Sequence, residues 1–261
     1  MRDGQASWTA RRVAAQRLTF PRLATGYGRP DDDQRLLADV AAGVEPGDLG
    51  MARYLRARTA FVDRSLVAAL DAGTPQALIV GAGYDGRALR YARPGVAWFE
   101  LDHPDTQADK RERLARLGIP DDHVTYVAAE IGAADVPAAL HGAGQDPARP
   151  TVLVVEGLAP YLAPDVLDGL LAGLATRTAA GGVLVIELPL VPRSEEGRVR
   201  RARLAQAVGG RGEPIRSEVE AGELDDVLAA AGWAVRRAVS PRGEPIADGT
   251  SGVAFVLAAP A

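Results

Sequence analysis

The sequence predicts an α/β protein: a doubly wound sheet of five parallel strands, completed by a C-terminal antiparallel hairpin and preceded by an N-terminal helical extension. Three features of the 261 residues carry that expectation. Between residues 77 and 188, short apolar runs alternate with stretches of helical spacing, the pattern of strand–helix–strand units. Runs such as Thr151-Val152-Leu153-Val154-Val155 are almost wholly apolar, as strands covered on both faces by helices must be. The preference for right-handed crossovers then makes double winding the default arrangement.

Taken in order, residues 7 to 23 keep helical spacing through Trp8, Val13, Leu18 and Leu23. Gly26 to Asp33 is a turn, with Asp33 placed to cap a short helix ending near Gly43. A longer helix spans Met51 to Ala72, where Tyr54, Leu55, Phe61, Val62, Leu66 and Leu70 recur at helical intervals. Strands follow at 77–81, 96–101, 124–128, 151–156 and 182–188, with helices between them at about 85–92, 105–117, 134–142 and 164–178. Pro189 to Pro192 breaks the alternation. An arginine-rich helix from about Ser194 to Val208 comes next, then a Gly/Pro stretch (Gly209 to Pro214) and a helix over Glu218 to Ala231. Two last strands, Trp233 to Ser240 and Gly252 to Ala258, form the edge hairpin. The chain therefore divides into a helical cap (1–73), a core of alternating strands and helices (74–190), a helical insertion (191–218), and a closing helix and strand pair (219–261).

Composition narrows the class. The chain is 47% hydrophobic and 25% charged, ordinary for a globular protein with a sizeable core. A net charge of −4 gives nucleic acid no basic footprint to bind. With no cysteine there are no disulfides or thiolate metal sites, which suits a cytoplasmic location. No histidine pair has metal spacing, so no metal is expected. The N-terminus lacks the apolar core of a signal peptide, and no apolar run is long enough to span a membrane. Lys110 is the only lysine, so individual arginines carry little weight by themselves.

Residues 76–104 hold most of the functional information. An apolar run (Ala77 to Val80) meets the glycine turn Gly81-Ala82-Gly83-Tyr84-Asp85-Gly86, and a second run, Val96 to Leu101, ends in Asp102. Glycines let the backbone approach a nucleotide, and an acid at the tip of the next strand can accept from ribose hydroxyls. The G-x-G-x-x-G spelling raises an NAD(P)-dependent oxidoreductase. Against it, no Tyr-x-x-x-Lys pair can be made, because residue 106 is Thr. Asp85 also puts a carboxylate where a pyrophosphate would lie. Glu156, at the end of the fourth strand beside Gly157, suits the ammonium and sulfonium groups of S-adenosylmethionine. The residues favour that cofactor and leave the dinucleotide as the alternative.

Six pieces in order carry a family resemblance: Thr9, Ala10, Ala14 and Arg17; Arg58-Thr59-x3-Asp63; GAGYDGRALR at 81–90; FELDHPDTQ at 99–107 with Lys110; HVTYVAAEI at 123–131; and EGLAPYL at 156–162. The chain resembles the leucine carboxyl methyltransferase-like superfamily, which includes actinobacterial and polyketide carboxyl methyltransferases. The resemblance implies a class I, Rossmann-like methyltransferase fold and S-adenosyl-L-methionine as cofactor. It implies that Arg58 grips the cofactor carboxylate and that Gly81, Ala82 and Gly83 lie under its methionine part. Asp102 would take the ribose, Glu130 and Ile131 the adenine, and Glu156 with Gly157 the amino group. Glu130 stands where the family usually has Asp, and Gly86 where it often has Thr. Arg11 or Arg12 matches a basic active-site residue, and Tyr161 faces the substrate.

Each residue also has a plain reading: Arg58 on an exposed helix face, Asp102 as a helix cap, Asp63 in a structural ion pair, His123 and His141 on the surface, and 193–203 as a solvated helix face. That last run also lies where a cationic cap would suit a carboxylate. Methyl transfer to a carboxylate needs no general base, whereas a phenol does. With Lys110 on a surface-type helix, only His103 offers itself as a base. The expectation is an O-methyltransferase acting on a small molecule of secondary metabolism, a carboxylate rather than a phenol, with Arg58, Tyr161 and His103 at the reacting end. An S-adenosylmethionine-binding protein without methyl transfer is the further alternative.

Overall fold

A computed structural model describes residues 8–195, 197–199, 201, 202 and 215–261. Strands β1 (Gln76–Val80), β2 (Ala97–Asp102), β3 (Val124–Ala128), β4 (Thr151–Val155) and β5 (Val183–Leu190) run parallel. Strands β6 (Trp233–Val239) and β7 (Gly252–Pro260) join antiparallel, in the order β3-β2-β1-β4-β5-β7-β6. The hairpin folds back so that β7, not β6, pairs with β5. The sequence-based expectation of five parallel strands and a closing hairpin holds. Because the chain runs outward from β1 to β3 and returns to β4 on the other side, β1 and β4 flank the switch point over which α/β sheets bind ligands.

Helices α1 (Trp8–Arg17), α2 (Pro30–Val40), α3 (Leu49–Asp71), α4 (Arg87–Arg90), α5 (Pro104–Leu117), α6 (Val136–Gly142), α7 (Pro164–Ala175) and α8 (Leu224–Ala230) cover the sheet. Alternate residues of each strand face opposite layers. Leu78, Val80, Leu153 and Val155 pack with Leu140, Leu167, Leu171 and Leu228 of α6, α7 and α8. Ala77, Ile79, Val152 and Val154 pack with Phe61, Val62 and Leu66 of α3. A third cluster joins α1, α2, α4 and α5 through Ala14, Leu36, Leu37, Leu89 and Leu114. Every residue of β1 and β4 is buried, which explains why each is apolar after its first residue, Gln76 or Thr151.

The departures from the sequence reading have local causes. Helix α1 stops at Arg17 rather than running to 23, because Pro21 disfavours helical backbone before it. Asp33 does not cap α2: Pro30 opens that helix, and Asp33 lies buried in its first turn, accepting from Arg22 and Arg90. The helix expected over 218–231 is confined to α8, preceded by a 3-10 turn at Ala221–Glu223. Val219 is drawn instead into pairing with Leu190. Of the helix expected over 194–208, residues 195, 197–199, 201 and 202 are helical, and 203–208 lie outside the described residues.

The glycine at 86 has a spatial cause too. Its φ is −101°, a value open to any residue, but a Cβ there would sit 1.9 Å from Asp33 Oδ1. The substitution Gly86→Ala should therefore destabilise the fold by about 1–3 kcal/mol, the usual cost of overpacking. Urea unfolding checks this, and an unchanged midpoint would contradict the packing argument.

Candidate active site

An open cavity of about 1500 Å³ lies over the carboxyl ends of the strands. The residues expected from the sequence at the cofactor and the reacting end border it: Arg58, Gly81, Ala82, Gly83, Asp102, His103, Glu130, Ile131, Glu156, Gly157 and Tyr161. Helix α1 contributes a wall through Val13 and Arg17, and α3 another through Tyr54 and Arg58.

The floor is the turn after β1. Gly81 and Gly83 have φ of +65° and +50°, the left-handed region that side chains rarely adopt. A Cβ on Gly83 would meet nothing within 4 Å, so the turn presents bare backbone to open space. Gly81 and Ala82 donate their N–H groups to the Leu101 carbonyl at 2.8 and 3.2 Å, which locks the turn to β2. Asp102, at the tip of β2, accepts from the Gly83 N–H and from the His103 N–H at 2.6 Å. Burial raises the Asp102 carboxyl above its ordinary value, against the pull of those two N–H groups.

His103 is the cap of α5, a role the sequence reading had offered to Asp102. Its Nδ1 accepts from the Asp105 N–H at 3.2 Å. Glu130, just past β3, is exposed, and its carbonyl accepts from the Ala133 and Ala134 N–H groups at 3.1 and 2.9 Å. Ile131 is half-buried against the main core.

Beside the turn lies a buried lattice of charge. Glu156 Oε1 is 2.8 Å from both Arg17 Nη2 and Arg58 Nε, and its Oε2 is 2.5 Å from Arg87 Nη1. Arg87 is fully buried and also reaches Asp85 and, at 2.7 Å, Asp63. Asp63 accepts in turn from Arg22 at 3.0 Å and from the Tyr91 hydroxyl at 2.8 Å. Arg58 continues to Glu187 at 3.0 Å, and the Tyr54 hydroxyl donates to the other Glu187 oxygen at 3.0 Å. Burial works to raise the Glu156 carboxyl, but Arg17, Arg87 and Arg58 outweigh it and hold it well below the usual range. Burial also works against ionised Asp85, which Arg87 and Arg17 overcome. Burial pushes the Glu187 carboxyl up, against the pull of Arg58.

Several of these partners escaped the sequence reading. Arg58 is buried, not on an exposed face, and it is held between two acids. Lys110 does not lie on a surface helix face: it is 2% exposed, paired with Glu100 and donating to the Asp85 carbonyl. Glu187, Tyr54 and the bridging role of Arg87 had no signal beyond a polar residue inside an apolar or arginine-rich stretch. Of the two N-terminal candidates, Arg12 borders the cavity, while Arg11 donates to the Val40 and Ala42 carbonyls. His123 is half-buried and bonds the Ala88 carbonyl at 2.8 Å, whereas His141 is exposed at the end of α6. Among the described residues no group of three His, Cys, Asp or Glu side chains could hold a metal, and no helix is long and apolar enough to cross a membrane.

A glycine turn after β1, an acid ending β2 and an acid following β4, on this strand order, define a Rossmann-like methyltransferase architecture. A Thermobifida fusca protein described as a methyltransferase shares the fold, with a TM-score of 0.63 at 16% identity over 99% of this chain and 96% of that one. Residues 11–175 match the family model of leucine carboxyl methyltransferase. A Mycolicibacterium gilvum protein is 39% identical over 173 residues, covering 64% of this chain and 54% of its own length. A Mycolicibacterium smegmatis protein is 35% identical over 215 residues, covering 77% and 69%. Both carry the assignment of S-adenosyl-L-methionine-dependent methyltransferase. The chain belongs to the leucine carboxyl methyltransferase family. It spans about half the length of the M. gilvum protein.

Asp63→Asn should cost about 3–5 kcal/mol, because it strips one charge from a lattice whose arginines stay buried. Arg87 and Arg22 overcome burial to depress the Asp63 carboxyl in the fold, so its contribution is complete above about pH 4, the ordinary unfolded value, and falls away as the pH drops below it. Urea titrations of both proteins from neutral to acid pH should show the gap between them closing only below about pH 4. A gap that is constant with pH would contradict the pairing.

Proposed function

We propose that the protein transfers a methyl group from S-adenosyl-L-methionine to an oxygen of a small-molecule acceptor, a carboxylate rather than a phenol, in secondary metabolism. Family membership supports the cofactor, and so does the chemistry of the cavity. Ten carboxylate residues and six arginines line it among the described residues, an acidic balance that favours a sulfonium cation. The bare backbone at Gly83 and the buried acid at Asp102 suit close approach by a nucleoside.

In this reading Asp102 takes the ribose hydroxyls, the Gly81–Gly83 turn underlies the methionine part, and Glu130 with Ile131 flanks the adenine. Arg58 and Glu156 receive the amino-acid end, where an ammonium and a carboxylate can join a lattice already balanced in charge. Arg58 meets Glu156 through Nε and Glu187 through Nη1, which fixes its guanidinium at the cavity wall. When bound, the cofactor supplies an electrophilic methyl group for direct displacement. The chain's part is to hold the acceptor in line and to exclude water, effects worth up to about 7–11 kcal/mol in favourable systems.

The observation that carries the choice of acceptor is that two lining groups able to act as a base, Glu187 and His103, are already engaged. Both Glu187 oxygens are taken, by Arg58 and Tyr54. His103 Nδ1 is occupied as the cap of α5, accepting from the Asp105 N–H. A carboxylate acceptor is already ionised near neutral pH and requires none. Tyr161 and Arg58 remain the positioning groups at the reacting end.

Asp102→Ala and Glu156→Gln should each weaken S-adenosylhomocysteine binding by at least about 1–3 kcal/mol, the scale of a lost charge-assisted hydrogen bond. Isothermal titration measures both. Unchanged affinity in either variant would remove that residue from the cofactor site.

A further inference from the structure

Residues 215–220 form a strap along the cavity wall beside the Ala159–Tyr161 turn. The strap is fastened at successive residues. The Arg216 N–H donates to the Pro160 carbonyl at 2.7 Å, and the Ser217 hydroxyl donates to the Leu162 carbonyl at 2.5 Å. Val219 donates to Pro189 at 2.9 Å and accepts from Val191 at 3.0 Å. The strap is thereby held between the Ala159–Tyr161 turn and the end of β5. It contributes Ile215, Arg216 and Glu218 to the cavity lining.

Charge pairing sorts the arginines of this region. Arg193 is matched to Glu220, Arg198 to Glu195, and Arg201 to Glu218. The arginine-rich run that seemed to offer a cationic cap is, at these positions, neutralised by acids. Deeper in the cavity Arg17 and Arg58 are committed to Asp85, Glu156 and Glu187. Arg216 differs from all of these. It borders the cavity, is exposed at its rim, and its guanidinium has no acidic partner among the described residues. Its backbone is bonded one residue away from Tyr161. Among the lining acids, Asp85, Asp102 and Glu156 lie on or beside the glycine turn and its strands, and Glu218 on the strap is paired with Arg201.

We propose that the 215–220 strap is the acceptor-recognition element and that Arg216 is the cation that gives the enzyme its affinity for a carboxylate acceptor, an inference that rests on the methyltransferase reading above. The role is binding specificity. Charge on the acceptor oxygen falls as the methyl group arrives, so an arginine paired with it stabilises the bound acceptor more than the transition state. Loss of Arg216 therefore acts on acceptor affinity and not on the cofactor.

The test is isothermal titration of protein saturated with S-adenosylhomocysteine. The probes are octanoate, 4-phenylbutyrate and 2-naphthoate, each beside its uncharged primary amide. Wild type should bind at least one carboxylate about tenfold or more tighter than its amide, the scale of one charge-assisted hydrogen bond. Arg216→Gln should erase that preference and leave S-adenosylhomocysteine affinity unchanged. Arg198→Gln, which removes an arginine of the neutralised run, should keep the preference. Acids and amides binding alike, no acid binding at all, or a preference that survives in Arg216→Gln would each overturn the proposal while intact S-adenosylhomocysteine binding left the methyltransferase reading standing. Failure of S-adenosylhomocysteine to bind wild type would remove that reading and this inference with it.

Discussion

Five arginines threaded among five carboxylates, with Arg87 at the centre, tie the N-terminal helices to the carboxyl edge of the sheet. Arg17 comes from α1 and Arg22 from the segment after it; Arg58 and Asp63 come from α3, Asp33 from α2, Glu156 from the end of β4 and Glu187 from β5. Arg90, on α4, completes the set by pairing with Asp33. Burying ions costs several kcal/mol each, and their mutual attraction roughly repays it, so such a lattice adds little net stability. What it does supply is geometry. Each guanidinium spans elements far apart in sequence, and displacing one leaves the others buried and unmatched. The helical extension is thus held over the switch point by partners that tolerate few alternative positions.

The same lattice changes the meaning of Asp85. Read along the chain, a carboxylate inside the glycine turn opposes a pyrophosphate. In the fold that charge is buried and answered by Arg87 and Arg17, so its electrostatic reach into the cavity is reduced. The preference for a sulfonium cofactor over a dinucleotide then rests more on Asp102, on the wider acidic balance of the lining, and on family membership.

The strands were legible because burial on both faces leaves a direct mark: β1 and β4 have no solvent-facing position to fill with a polar residue. The turn and its acids were legible because close backbone approach restricts what can be spelled there. Long-range pairing leaves no such mark. Arg87 and Arg198 look alike in an arginine-rich chain, yet one is fully buried and the other is exposed. Lys110 shows the same limit. Its helix is mostly polar, and only the fold reveals that this one position turns inward to Glu100 and the backbone of the glycine turn. The end of α1 and the place of Asp33 were missed for a related reason. Pro21 and Pro30 set those boundaries locally, but the need to bring Arg22 and Arg90 to Asp33 is tertiary.

The glycine turn and the strap then face different constraints. Beside the glycine turn, charges are numerous, buried and matched, so that part of the cavity has little freedom to vary without disturbing the fold. At the strap, attachment is through backbone hydrogen bonds from Arg216, Ser217 and Val219, which constrain the path of the chain but leave the side chain at 216 unconstrained. A side chain there can change without breaking a buried pair. On the proposed reading of the site, that separation would let one scaffold keep its chemistry while its acceptor changes. It also explains physically why the acceptor was the part least legible in the sequence.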